Sequence, residues 1–167
     1  MAHSYSHLFG FPASGLRFFT VYGPWGRPDM AYFSFAQKML AGEAIPVFAE
    51  GALERDFTYI DDIVEAVVRV LAKPPAATGN LAAHAVFNVG QHQPVRVLDF
   101  IAALEEALGV KARTRFLPMQ PGDVPVTCAD TRKLQEWVGF APATPLKVGL
   151  GRFREWLLAW MAHDKTG

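Results

Sequence analysis

The sequence predicts an α/β protein, and three observations carry that reading. Short runs rich in β-branched and aromatic residues alternate with amphipathic helical stretches along the chain. The run at residues 16–22 is apolar on both faces, as a strand buried in a parallel sheet is. Glycine and proline mark most of the junctions between periodic stretches.

In chain order, residues 1–9 read as the end of a helix, stopped by Gly10 and Pro12. Residues 16–22 form the first strand and run into a loop at Gly23-Pro24. Asp29 is the expected cap of a helix with Met30, Phe33, Phe35, Met39 and Leu40 as its apolar positions, closed by Gly42. Residues 45–48 form a short strand that Pro46 places at an edge, and residues 55–59 form another. Asp61 or Asp62 is expected to cap a helix through Ile63, Ala66, Val67, Val70 and Leu71, ending before Pro74-Pro75. After a loop at 74–84, residues 86–89 make a strand and 97–108 a helix on Leu98, Phe100, Ile101 and Leu104. Residues 112–117 alternate as a strand. Asp130 is expected to cap a helix at 131–138, and Pro145 opens a last helix carrying Leu150, Phe153, Trp156, Leu157 and Trp160. These strands are too few to enclose the 16–22 run, which therefore expects further partners.

Composition narrows the function. With 167 residues, 51% hydrophobic and 19% charged, the chain is long enough for one globular domain and is not disordered. Zero net charge, without a basic cluster longer than two residues, leaves no footprint for nucleic acid or an anionic membrane. No apolar run approaches the ~20 residues of a membrane span, and no signal-peptide pattern opens the chain. The single cysteine, Cys128, excludes an intrachain disulfide and suits a reducing, cytoplasmic setting. His3, His7, His84, His92 and His163 show no H-x-x-x-H pairing with a following carboxylate, so no metal is expected.

One block is more specific. Leu16-Arg17-Phe18-Phe19-Thr20-Val21-Tyr22-Gly23-Pro24-Trp25-Gly26-Arg27-Pro28-Asp29-Met30 resembles the strand-and-loop motif of extended short-chain dehydrogenases/reductases in their UDP-glucuronate 4-epimerase form. Ile45-Pro46-Val47-Phe48, then Arg55-Asp56-Phe57-Thr58-Tyr59-Ile60-Asp61-Asp62, then Gln120-Pro121-Gly122-Asp123-Val124-Pro125 follow in the family's order and spacing. The resemblance covers essentially the whole chain. It implies the C-terminal portion of a Rossmann-type, NAD(P)-binding fold: the last parallel strands and the small substrate-binding lobe. The parent reaction it implies is the NAD-dependent interconversion of UDP-glucuronate and UDP-galacturonate, by C4 inversion through a 4-keto intermediate.

The resemblance also implies roles for individual residues. Arg55 falls where relatives place a diphosphate-binding arginine, and guanidinium forks match phosphate oxygens; its alternative is an ion pair with Glu54 or Asp56. Arg27 is a second candidate for the same anion. Thr20 falls near the sugar, suited to a C6 carboxylate or the adjacent phosphate, or is an ordinary strand residue. Pro46 and Phe48 fall where relatives stack the pyrimidine ring, or bury a strand's own apolar face. Gln120 stands where many relatives carry a second diphosphate arginine. Asp123 meets the ribose or caps its loop. The backbone of Phe18 falls near the nicotinamide amide, its side chain being expected in the core.

Two motifs the parent reaction requires do not occur here: the G-x-x-G-x-x-G phosphate cradle and a Y-x-x-x-K pair for proton transfer. The expectation is thus a single fragment, residues 1–167, that starts just downstream of the catalytic residues and holds no catalytic residue of its own. Such a fragment should bind a UDP-sugar without retaining NAD. It should also associate with another copy or with the missing dinucleotide-binding half. Alternatives are a fragment of a nucleotide-sugar dehydratase or decarboxylase, or a non-catalytic interaction subunit.

Overall fold

A computed structural model describes residues 1–79 and 81–164; residue 80, within the expected 74–84 loop, lies outside them. Helix α1 (Ala2–Phe9) leads into β1 (Ala13–Phe18) and β2 (Thr20–Tyr22). Then come α2 (Ala31–Leu40), β3 (Ala44–Phe48), a short 3-10 turn (Ala49–Gly51), β4 (Glu54–Tyr59) and α3 (Ile60–Ala72). The chain continues through β5 (His84–Val89), β6 (Pro94–Arg96), α4 (Val97–Leu108), β7 (Arg113–Leu117), α5 (Arg132–Val138) and α6 (Leu146–Asp164).

The single strand expected at 16–22 is two strands with different partners. β1 pairs in parallel with β5, from Ala13 opposite His84 to Phe18 opposite Val89. One residue later β2 pairs in parallel with β4, from Thr20 opposite Phe57 to Tyr22 opposite Tyr59. Phe19 is the joint, its N–H donated to the Val89 carbonyl at 3.2 Å. A run of β-prone residues records the extended backbone but not the change of neighbour. Among the described residues, β1 and β2 each have one strand partner. The other edge of β1 has no strand partner among the described residues, and Phe18 is 48% exposed instead of lying in the core.

Strand β6 has no counterpart in the sequence reading. It is three residues long, starts on Pro94 and runs antiparallel to β4, a position where proline's missing N–H is tolerated. Among the described residues β3 pairs in parallel with β7 alone, so Pro46 does sit in an edge strand.

Three expected caps are rearranged. Met30, not Asp29, precedes α2, because the Asp29 carboxylate is taken by Arg27. Tyr59 precedes α3. Asp62 instead accepts hydrogen bonds from the Ala143 and Thr144 N–H groups and the Thr144 hydroxyl, tying α3 to the approach of α6. Thr131 precedes α5, with Asp130 accepting the Arg132 N–H at 3.2 Å.

The main core is aromatic. On α6 the i, i+3, i+7 face of Leu150, Phe153 and Leu157 is fully buried. It packs on Tyr22, Tyr32 and Phe33, with the Phe153 and Tyr32 ring centroids 5.1 Å apart. Gly149 allows this approach: a Cβ there would lie 2.2 Å from the Tyr22 hydroxyl oxygen. A second cluster, Ile63, Ala66, Val70, Phe87, Val89 and Leu134, joins α3 and α5 to β5. The outer residues of α3, Val64, Val68 and Leu71, are exposed. No described helix is long and apolar enough to cross a membrane.

Phe153→Ala is expected to lower the unfolding free energy by about 3–5 kcal/mol, the cost of an aromatic-sized cavity. Urea unfolding measures it, and a loss below about 1 kcal/mol would mean that the α6 seam does not hold the core.

Candidate functional site

A cavity of about 320 Å³ opens between the β2–β4–β6 sheet and β3. Six of the seven expected substrate-binding side chains line it: Thr20, Pro46, Phe48, Arg55, Gln120 and Asp123. Strand geometry explains several of these placements. In β3 the side chains alternate, so Ile45 and Val47 are fully buried in the core while Pro46 and Phe48 face the cavity. In β4 Arg55 faces the cavity. Phe57, two residues on, shares its lining and stacks on Phe100 of α4, with centroids 4.2 Å apart and planes at 16°.

The Arg55 guanidinium is held from one side. Nη1 donates to the Glu54 carbonyl at 2.8 Å, to Val124 at 2.9 Å and to Pro125 at 3.4 Å. Nη2 stands 3.5 Å from Asp123 Oδ1. Neither Glu54 nor Asp56 is its carboxylate partner. Asp123 thus braces the arginine, and its N–H donates to the Gln120 carbonyl, closing the turn that carries both side chains.

Arg27 is not brought into this group. It is exposed, its guanidinium engages Asp29, and it lines an adjoining cavity of about 370 Å³ with Phe18, Trp25 and Tyr32. Met30 lines both cavities.

The sequence reading also missed the cavity's apolar lining, Met30, Leu53, Phe57, Val97 and Phe100. Phe57 lies inside the Arg55–Asp62 block, which could have suggested it. Phe100 was legible only as a core position of a helix. Asp56, fully buried, is a further residue that reading left without a role.

Two other groups fail as catalytic candidates. Desolvation, with the charges of Asp56 and Asp130 adding to it, pushes the Cys128 thiol up, the reverse of an activated nucleophile. Its neighbour His92 holds Nδ1 2.5 Å from the Ala129 carbonyl, so that nitrogen carries a proton and cannot accept one from sulfur. Among the described residues no group of three or more His, Cys, Asp or Glu could hold a metal ion.

The parallel strands and the helices that connect them define an α/β fold whose cavity holds one braced arginine. The class narrows by comparison: residues 1–90 match the NAD dependent epimerase/dehydratase family, and the chain belongs to that family. It is 52% identical over 167 residues to an uncharacterized 37.6 kDa protein of Escherichia coli O111:H-, covering 93% of this chain and 50% of that one. It is 46% identical over 168 residues to a probable UDP-glucuronate 4-epimerase of Rhizobium meliloti, covering 93% and 49%. The crystal structure of the Bacillus cereus UDP-glucuronic acid 4-epimerase, in complex with UDP-glucuronic acid and NAD, superposes with a TM-score of 0.83 at 34% identity. That superposition covers 95% of this chain and 49% of the other. The chain thus spans about half the length of the curated relatives it matches.

NAD is the family's cofactor. The residues described here do not fit its pyrophosphate, which needs a glycine-opened helix N-terminus presenting free N–H groups. The first turn of α3 carries Asp61 and Asp62, which would repel phosphate, and Gly149 and Gly151 lie inside α6.

The tyrosines around this site give a pH test. Burial pushes the Tyr32 hydroxyl up to about 12, and that hydroxyl donates to the Gly23 carbonyl at 3.1 Å. Burial pushes Tyr22 up as well. Both are protonated when folded, whereas unfolded tyrosine ionises near 10. Stability from these residues is therefore complete below about pH 10 and is lost as pH rises toward about 12. Urea unfolding across that window should show the decline, with a shallower slope for Tyr32→Phe; an unchanged slope would show that this hydroxyl titrates normally.

Proposed function

We propose that this chain forms the UDP-sugar-binding part of a nucleotide-sugar 4-epimerase that acts on UDP-glucuronate. The observation that carries this reading is the convergence of Thr20, Pro46, Phe48, Arg55, Gln120 and Asp123 on one cavity from β2, β3, β4 and the 120–123 turn. The similarity to UDP-glucuronate 4-epimerases supports it.

Physical chemistry assigns the ends of the ligand. Pro46 and Phe48 offer a flat apolar wall to the pyrimidine, with Phe57 and Phe100 stacked beneath. Arg55 offers the charge, and its bonds to Val124 and Pro125 preorganise it for a diphosphate. Gln120 adds a neutral donor, and Thr20 adds a hydroxyl toward the sugar. Beyond Met30, Arg27 stands on the sugar side, where opening its pair with Asp29 would free it for an anionic group.

In such a reaction NAD supplies the hydride chemistry, and the protein supplies binding and orientation. We assign these residues only the binding. The sequence holds neither a G-x-x-G-x-x-G nor a Y-x-x-x-K, so turnover on this reading requires a dinucleotide-binding half. The one-sided pairing of β1 and the exposed Val64, Val68 and Leu71 of α3 are where that half or a second copy would associate.

The chain alone should bind UDP and not retain NAD. Arg55→Ala should weaken UDP by about 1.5–3 kcal/mol, the range for a charge-assisted hydrogen bond. Calorimetry with UDP checks this, and unchanged affinity would remove Arg55 from the site.

A further inference from the structure

We infer that Asp56 is a positioning residue of the nucleotide cavity: its buried carboxylate clamps the 127–129 segment to β4 and so holds the 120–127 loop closed over Arg55. The inference rests on the reading of this cavity as a UDP-sugar site.

Asp56 is fully buried. Its Oδ1 accepts the Gln91 N–H at 2.9 Å, and its Oδ2 accepts the His92 N–H at 3.1 Å and the Ala129 N–H at 2.8 Å. Among the described residues its partners are these three backbone donors and not a cation. Hydrogen bonds to an ionised acceptor are roughly twice as strong as neutral ones and gain further inside a protein. The Asp56 N–H in turn donates to Thr127 Oγ1 at 3.2 Å. Three segments distant in sequence therefore meet on one carboxylate.

Neighbours on a strand face opposite ways. Arg55 lines the cavity, and Asp56 faces the interior. Asp56 cannot touch the nucleotide and must act through the backbone between them. That backbone is continuous: the Glu54 N–H donates to the Pro125 carbonyl at 2.9 Å and the Thr127 N–H to the Glu54 carbonyl at 3.1 Å. The 123–129 strip thus lies along β4, gripped at one end by Arg55 and at the other by Asp56. Apart from the fully buried Ala129, its side chains add little apolar burial, because Val124 and Val126 are each 51% exposed. With so little apolar burial, the polar clamp decides where the loop rests, and the loop carries Gln120 and Asp123.

The clamp also explains Gly90. A Cβ there would lie 2.9 Å from Asp56 Oδ2 and 2.5 Å from the Ala129 Cβ, so the turn can close on the carboxylate only without a side chain.

Two measurements on the chain test this: amide hydrogen exchange, and UDP calorimetry within a double-mutant cycle. Asp56→Asn keeps the volume but removes the charge and turns an N–H2 toward N–H donors. Exchange at Glu54 and Thr127 should rise by about tenfold or more, while the core amides of α4 stay within about twofold. UDP should bind about fivefold or more weakly, whereas in an Arg55→Ala background the same change should cost less than about twofold. Thr127→Val, which removes one strut, should move both readouts the same way by a smaller factor, and it decides the matter if the Asn variant does not fold. Uniformly faster exchange, an unmoved loop, or a loss of affinity that adds to that of Arg55→Ala would overturn the inference. If the unaltered chain fails to bind UDP, the reading of the cavity falls while exchange at the loop still judges the clamp.

Discussion

A carboxylate taken out of water costs several kcal/mol unless donors replace its hydration. Asp56 meets that demand with backbone N–H groups from residues 91, 92 and 129, and much of the structure around β4 is arranged by the need to bring them there. The turn after β5 must approach β4, which requires a bare backbone at Gly90. The segment after the 120–123 turn must run beside β4 in register, which sets Val126 opposite Glu54. The cavity is the space left between that strip, β3 and α4.

On the proposed reading of this cavity, a sparse set of polar groups has to carry the selectivity. Most of its wall is apolar, with Arg55 the one lining cation among the described residues and Asp123 beside it. Arg55 is held by three carbonyls at Nη1 and by Asp123 beside Nη2, so its guanidinium is fixed in place. On the proposed reading, less side-chain freedom would be lost on binding a ligand there. The aromatic seam between α6 and β2 has a different task. It fixes Tyr22 and Tyr32 beneath the loop that carries Trp25 and Arg27, with the Tyr32 hydroxyl bonded to Gly23 at the loop's base.

Much of this was legible in the sequence. The α/β alternation, the helices at α2, α3, α4, α5 and α6, and the buried face of Leu150, Phe153 and Leu157 follow from local periodicity, because a helix or strand with one apolar face must bury it. Six cavity residues are legible because they lie in contiguous blocks that resemble the family's. Arg27 belonged to such a block too, yet it faces the adjoining cavity and pairs with Asp29, since two residues of separation let those side chains meet. The caps were misassigned for a similar reason. A short acidic side chain before a helix can satisfy the backbone, but Asp29 and Asp62 found stronger partners in Arg27 and in the 143–144 amides.

What the sequence determined by itself, then, was which segments are helical or extended, which faces are apolar, and which blocks bear the family's chemistry, all properties of residues within a few positions of one another. Only the tertiary structure decided that one β-prone run divides at Phe19 between two partner strands. It alone decided that Pro94–Arg96 joins β4, and that Asp56 gathers segments 35 and 73 residues away in sequence. Those outcomes depend on which distant donors and strand edges are near enough to compete for the same groups. That competition is settled by packing, and no local pattern records it.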